Sequence, residues 1–460
     1  MITRIELDGF KTFSNFSLDL APLSVIVGAN GVGKTNLFAA ILLLSRLAET
    51  DIYTAFQDLQ SEYGELFTIL PDGSTVDQMR LAVEVLLDRR VRDDWGSEVE
   101  LSFTRLRYEL NIKRSRNRDG VNRLFITKEN LFQIKNYSDR WSNKNRNNTQ
   151  AHFKKTRRII PFISTKHKES EVITNLHRDG IGVGRQFKTY QIERSVLNSV
   201  NQTDFPHTFA LRNEMRSWKL LRMDINALRQ SSPPVGNSYL TSSGGNLPAA
   251  LARINAEDPF FMSDISLNLS GIIPGISKIT VALDESSNRL VVSATSSDGR
   301  VLSSQLMSDG TMRMLALVTF KYDPDHHGVL CLEEPENGIH PLMLRHMAKL
   351  LSNLSTDFGD SSSVEWPLQQ LIVNTHSPIL ISQPEFRNNL FYASMPTLIS
   401  NGKPSMRVTR IKPIETTIQK ENIKKDNAYT LDQVIKYLST VDEAIEVRDQ
   451  IEGKSDKSAA

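Results

Sequence analysis

The run GANGVGKT at residues 28–35 holds the residue types needed to grip a chain of phosphates. It fits G-x-x-x-x-G-K-[ST] at every position. Gly28, Gly31 and Gly33 let the backbone curl so that its N–H groups face an anion, with Ala29, Asn30 and Val32 completing the loop. Lys34 can reach the β- and γ-phosphates of ATP, and Thr35 can offer its hydroxyl to Mg²⁺. Asn36 opens the body of a helix whose positive end points at the same anion. The competing account is a Gly-rich turn that merely ends in Lys-Thr. An apolar strand before the loop and a helix after it speak for the phosphate site.

Three further segments carry chemistry. In VLCLEEPENGIHP, residues 329–341, four apolar residues deliver Glu333 and Glu334 to the C-terminal end of a buried strand. Side chains alternate along a strand, so the two carboxylates point differently. One can orient Mg²⁺ and its waters, and the other can polarise an attacking water. The alternative is a buried strand with an acidic cap. In LIVNTHSPILI, residues 371–381, a second apolar strand ends at His376, which could sense a γ-phosphate. The same segment suits a helix start, with Thr375 or Ser377 capping and Pro378 early in the helix, and both readings can hold together. In LMSDGTMRML, residues 306–315, Ser308, Asp309 and Gly310 precede a helix at 312–320. This is either a second anion site at a helix N-terminus or an ordinary N-cap.

These residues need an α/β frame to meet. Ile2, Ile5 and Leu7, then Phe16, Leu18 and Leu20, show strand-like spacing, and residues 23–27 form a short apolar strand that ends at Gly28. Residues 36–47 place Leu37, Ala40, Ile41 and Leu44 at helical spacing. Strands are expected at 79–87, 99–103 and 106–112, and a helical stretch at 209–229 before a Ser/Pro/Gly loop at 231–236. Residues 242–245 make a second loop. Ile279, Val281 and Leu283 alternate, as do Leu290 and Val292; after Phe320 the order is strand 329–332, helix 342–354, strand 371–373. Residues 430–451 read as an amphipathic helix with Leu431, Val434, Ile435 and Leu438 on one face, and 453–460 as a frayed end.

The expected organisation is an ATPase lobe I over residues 1–90, inserted strands and helices over 91–245, lobe II over 246–400, and a partner-binding or oligomerisation tail over 401–460. The insertion is basic: residues 101–195 hold 22 Lys plus Arg against 8 Asp plus Glu. Within it, residues 137–158 are rich in Asn, Lys and Arg and read as an exposed insertion. The whole chain carries a formal net charge of only +2, which argues neither for nor against nucleic acid; the distribution of charge bears on that. A single cysteine, Cys331, rules out an internal disulfide framework and points to a reducing compartment. The N-terminus lacks signal-peptide character and the apolar runs are too short to span a bilayer, so a cytoplasmic location is expected.

The order of P-loop, SDG segment, acidic strand and His strand resembles that of ABC-type ATPases. It is similar to the SMC/RecF-like branch, and within it to the OLD-type AAA ATPases of prokaryotic defence and repair. The residues that carry the resemblance are ITRIELDGFKTFSNFSLDLAPLSVIVGANGVGKTN, SSGGNLPAAL, LMSDGTMRMLAL and LEEPENGIHP. The resemblance implies an ABC-type P-loop ATPase head. In it Glu333 stands where Asp is more common and organises Mg²⁺, while Glu334 is the catalytic base and His376 the switch histidine. It further implies that Asn337 and His340 lie in a loop crossing a dimer interface. Ser308 and Gly310 would close on the ATP of a partner subunit, giving a homodimer or higher oligomer. The glutamine usual between the lobes is not placed; Gln133, Gln191 and Gln202 are candidates.

OLD-type relatives continue into a Toprim nuclease, whereas 84 residues follow His376 here, without the acidic array expected of one. The chain therefore looks similar to the ATPase subunit of two-component anti-phage systems, such as the Septu and PARIS types. The implied partner is a separate HNH or Toprim-like nuclease that this ATPase senses for and regulates. The alternative is a RecF/SMC-like DNA-repair ATPase that grips duplex through residues 113–158. A stand-alone nuclease is disfavoured, because no further carboxylate cluster is legible.

Overall fold

The computed structural model describes residues 1–59, 65–93, 95–116, 122–135, 139–141, 160–168, 171–178, 182–189, 192–360, 363, 366–400, 403–415, 429–436 and 438. From the N-terminus, β1 (Ile2–Asp8), β2 (Phe16–Asp19) and β3 (Leu23–Val27) lead into α1 (Lys34–Leu47) and α2 (Ile52–Asp58). There follow β4 (Gln78–Leu86), the short pair β5 (Arg90–Arg92) and β6 (Glu98–Glu100), β7 (Arg105–Arg116), β8 (Asn122–Gln133), β9 (Ile163–Lys168), β10 (Glu171–Arg178) and β11 (Gly182–Thr189). Next come α3 (Pro206–Arg216), β12 (Lys219–Leu221), α4 (Ile225–Arg229), α5 (Leu247–Glu257) and α6 (Pro259–Ile272). The second half holds β13 (Ile276–Asp284), β14 (Arg289–Ser296), β15 (Val301–Ser303), α7 (Asp309–Tyr322), β16 (Gly328–Glu333), α8 (Leu344–Ser352), β17 (Gln369–Thr375) and α9 (Pro378–Ile381). It ends in β18 (Leu390–Ser394), β19 (Thr397–Ser400), β20 (Lys403–Arg407), β21 (Arg410–Glu415) and β22 (Tyr429–Thr430).

Two large sheets organise these elements. An antiparallel sheet runs β11-β10-β9-β8-β7-β4-β1-β2, and a second sheet runs β12-β16-β17-β3-β18-β21-β22. In the second sheet β12, β16, β17, β3 and β18 are all parallel. Such strands are covered on both faces, which is why they read as continuous apolar runs. The alternation is explicit. Ile26, Val329, Cys331 and Ile372 face a core shared with α1 and the antiparallel sheet. Val25, Val27, Leu330, Leu332, Leu371 and Val373 face the opposite core, shared with α5, α6, α7 and α8. Burying a branched aliphatic side chain contributes roughly 1.5–3 kcal/mol, so this double-sided strand set is the rigid base of the molecule. Cys331 is free and buried there, and burial pushes its thiol pKa up.

Beyond shifts of a few residues at element ends, the structure differs from the sequence expectations in four places. The stretch 209–229 is not one helix. α3 stops at Arg216, and β12 runs beside β16 before α4 begins. Lys219, Leu220 and Leu221 find ladder partners in Leu330, Cys331 and Leu332, and tertiary pairing overrides helical spacing. The expected strand at 99–103 shrinks to β6, whereas β7 extends to Arg116 because β4 and β8 pair with it on both sides. The division at residue 90 cuts through one sheet, since β7 to β11 extend the sheet begun by β1 and β4. In the tail, Leu431, Val434, Ile435 and Leu438 pack on this chain's own core, so that stripe is not left free for a partner. The remainder of 430–451, the end 453–460, Gln191 and nearly all of 137–158 lie outside the described residues. Among the described residues no helix is long and apolar enough to cross a membrane.

Candidate functional site

The phosphate loop leaves β3 at Gly28, where an added Cβ would lie 2.5 Å from the Ala393 carbonyl of β18. Gly31 and Gly33 adopt φ of +78° and +93°, a left-handed region that favours glycine. Gly33 is the N-cap of α1, so the helix begins at Lys34, two residues earlier than its apolar spacing predicts. A side chain at Gly33 would also strike the Thr409 hydroxyl. Thr409 donates to the Val32 carbonyl at 2.9 Å and meets the Thr12 hydroxyl at 2.7 Å. Asn36 donates its amide to Thr12 at 2.9 Å, so its side chain braces the loop from outside. Asn30 is exposed at the tip.

Lys34 is buried, and its ammonium donates to the carbonyls of Gly28 at 2.5 Å and Ala29 at 2.9 Å. Phosphate oxygens are stronger acceptors for the same group. Burial pulls the Lys34 pKa down, and the charges of Glu334, Glu336 and Glu333 oppose that shift. The loop lysine is therefore faced by carboxylates, an arrangement that suits a phosphate chain with a metal beside it.

Those carboxylates come from the end of β16, with β17 lying between β16 and β3. Glu333 pairs in register with Asn374, and Asn374 with Ile26, so the three strands end level. Thr35 donates its hydroxyl to Glu333 Oε1 at 2.5 Å, across 298 residues of sequence. A hydroxyl and a carboxylate are hard oxygen donors and fit Mg²⁺, whose other positions are ordinarily filled by phosphate and water. Among the described residues no group of three or more His, Cys, Asp or Glu gathers to hold a metal. Glu334 follows with φ of +45°, rare for a residue with a Cβ. This twist turns it out of the strand while its N–H still donates to the Asn374 carbonyl at 2.8 Å. Asn337 donates to Glu334 Oε2 at 2.9 Å, and His376 Nδ1 lies 3.3 Å from Glu334 Oε1, without hydrogen-bond geometry.

His376 sits just past β17, and Ser377 caps α9, as the helix-start reading expects. Ser308 likewise caps α7, accepting from the Thr311 N–H at 3.2 Å. Arg229 fixes this end by donating to Asp309 at 2.8 Å and to the Met307 carbonyl at 2.7 Å. Gly310 passes close to the Gly338 carbonyl, so the α7 N-terminus and the loop after Glu334 are neighbours. Among the described residues no hydrogen bond joins Ser308, Asp309 or Gly310 to Lys34 or Thr35. The structure thus brings Lys34, Thr35, Glu333, Glu334 and His376 together, with the SDG segment beside the loop after Glu334 and not hydrogen-bonded to Lys34 or Thr35.

Two residues at this site had no assigned role in the sequence. Glu336 is buried, accepts the Thr375 hydroxyl, and has its carboxyl pKa raised by burial. Its other oxygen has no hydrogen-bond partner, nor do Asn374 Oδ1 and His376 Nδ1. It stood inside the EEPEN run, but nothing in that run marks it as inward-facing. Arg222 donates to Glu333 from just past β12 and was hidden within the supposed helix. Of the candidate glutamines, Gln133 pairs with Leu106 in the β7–β8 ladder, Gln202 is exposed, and Gln191 lies outside the described residues.

No curated protein matches the chain. Among solved structures it is similar to an SMC head bound to the C-winged helix domain of ScpA, at 14% identity over 89% of this chain and 97% of the other, TM-score 0.45. It is also similar to an Smc head with an extended coiled coil, bound to the C-terminal domain of ScpA, from Pyrococcus furiosus (12% identity, 96% and 99% coverage, TM-score 0.47). A third is the SMC head domain from Thermotoga maritima, at 13% identity, 90% and 99% coverage and TM-score 0.37. The profile of the family described as "AAA domain, putative AbiEii toxin, Type IV TA system" matches residues 23–382, a span that runs from β3 through the phosphate loop and acidic strand to α9. With its parallel core strands, its antiparallel lobe and that match, this chain has the ABC-type P-loop NTPase fold and belongs to that AAA family.

Proposed function

We propose that this chain binds ATP with Mg²⁺ and hydrolyses it, and that two copies close around the nucleotide. The observation that carries this is the convergence of Lys34, Thr35, Glu333, Glu334 and His376 at the level ends of three adjacent parallel strands. Mg²⁺ would neutralise phosphate charge and fix the geometry of the triphosphate. Lys34 would hold the β- and γ-phosphates, and Thr35 with Glu333 would hold the metal. Glu334, oriented by Asn337, would take the proton of the attacking water. His376 would lie against the γ-phosphate and report its presence to Glu334.

Dimer closure rests on the separation of the SDG segment from the phosphate loop. Ser308, Asp309 and Gly310 present a helix N-terminus that, among the described residues, makes no hydrogen bond to Lys34 or Thr35. Exposed Leu306 and Leu342 stand near that helix start and the loop after Glu334, at 71% and 80% exposure. A second copy would cover both. At the level of biology, we read the chain as the sensor and regulator of a separate nuclease in a bacterial anti-phage system. Support for this is the family itself, whose description names a putative toxin of a type IV toxin–antitoxin system.

A second reading, direct duplex binding, draws on the far end of the antiparallel sheet. Lys113, Arg116, Arg123, Lys166, Arg178 and Arg185 are all exposed there. The two readings share the ATP site and differ in what closure acts on.

The test of the shared core is Glu334→Gln. This variant should bind ATP normally and lose on the order of 10²–10⁴ in turnover, the usual contribution of a positioned base. It should also accumulate as an ATP-dependent dimer on gel filtration. Wild-type turnover in this variant places the base elsewhere. A monomer at saturating ATP removes the sandwich.

A further inference from the structure

Both oxygens of Glu333 are engaged. Thr35 donates its hydroxyl to Oε1 at 2.5 Å, and Arg222 donates Nε to Oε2. Thr35 and Glu333 are the protein oxygens of the metal position in the proposed ATP site, on which this inference rests. A divalent ion therefore meets a carboxylate that already carries a cation.

The surroundings let that cation leave. The Arg222 side chain is 55% exposed, against 14% for Glu333. Its backbone is fixed, because its N–H donates to the Ser242 carbonyl at 2.7 Å and the Asp224 N–H donates to the Ser243 carbonyl at 2.9 Å. The side chain borders a cavity of about 700 Å³ that runs from Thr35 along α1 and is also walled by Lys11, Arg46 and Lys219. The guanidinium can withdraw into this space by rotamer change alone, with the 241–243 segment holding its backbone in place. Seven residues on from Arg222, at the end of α4, Arg229 holds Asp309 at the start of α7.

We propose that Arg222 is the resident counter-cation of Glu333: it competes with the divalent ion for this carboxylate and so sets the metal concentration at which the ATP site loads. Arg suits the role because its fork matches a carboxylate and keeps its charge at any physiological pH. A purely structural Arg222, tying β12 to β16, would affect stability and leave metal loading alone.

The test is binding of a fluorescent ATP analogue titrated with Mg²⁺, with melting temperature in EDTA as the check on folding. Arg222→Met and Arg222→Gln should reach half-maximal Mg²⁺-dependent binding at about fivefold lower Mg²⁺, the change expected on removing a part-exposed ion pair. Arg222→Lys, which keeps the charge without the fork, should fall between them and wild type, and serves if the neutral variants do not fold. In a Glu333→Gln background, Arg222→Met should change nothing further. Half-saturation that is unchanged or higher in folded Arg222 variants overturns the proposal. If the wild type fails to bind the analogue both in EDTA and in Mg²⁺, the ATP-site reading falls instead.

Discussion

Lys34 carries the largest expectation at the scale of single residues. It is the buried cation of the loop, and its present partners are two loop carbonyls. Removing it deletes charged hydrogen bonds to the phosphates, each worth roughly 1.5–3 kcal/mol. Lys34→Ala should therefore weaken ATP binding by on the order of 100-fold. Calorimetric titration with ATP measures this directly, and near-normal affinity would refute the phosphate-loop assignment. The loop residues, Glu333, Glu334 and His376 were all legible in sequence, because each is tied to a local spacing. Arg222 and Glu336 were not, because their partners lie 111 and 39 residues away.

The element that best illustrates packing chemistry is the β8 junction with residues 195–200. Glu129 on β8 is fully buried. It accepts from the N–H groups of Val196 at 2.6 Å and Leu197 at 2.9 Å, and from the Tyr108 hydroxyl at 3.1 Å. Burial outweighs these bonds and pushes its pKa up to about 7, from an ordinary 4.5. The sign follows from proton counting. Between those two values the unfolded chain releases this proton while the folded chain keeps it, so stability falls as pH rises from about 4.5 to about 7. Glu129→Gln has no proton to lose. The difference in melting temperature, wild type minus variant, should decline across that window and level off above it. A difference that is flat or rises with pH would show that Glu129 is not held neutral. At this scale core strands such as β1, β3, β16 and β17 and the helices α1 and α7 were readable from periodicity, whereas β8 to β11, α5 and α6 were not, and the failure at 209–229 is instructive. A three-residue edge strand has too little pattern of its own, and β16 alone makes it a strand.

For the whole molecule, the proposed closure has two candidate targets, duplex DNA and a separate nuclease. The exposed cations of the distal sheet and the adjoining basic stretch make duplex DNA a measurable candidate. If DNA binds there, the logarithm of affinity falls linearly with the logarithm of salt, by about 0.9 per phosphate neutralised. Removing the charges of Lys154, Lys155, Arg157 and Arg158 should flatten that slope by about 0.9 for each phosphate that these side chains neutralise. An unchanged slope would remove these four residues from any DNA interface. A separate nuclease partner is tested differently, by co-purification with the product of a neighbouring reading frame with and without Glu334→Gln.

By itself the amino-acid sequence determined the phosphate loop, the acidic and histidine strands and the α/β class. All of these follow from short-range spacing, where residue type and backbone period suffice. Only the tertiary structure decided that the basic strands extend the N-terminal sheet, that β12 lies beside β16, and that the tail stripe packs on the chain's own core. It alone brought Thr35 to Glu333 and set Arg222 against the same carboxylate. These are long-range pairings, chosen by complementary faces and charges that no local window contains.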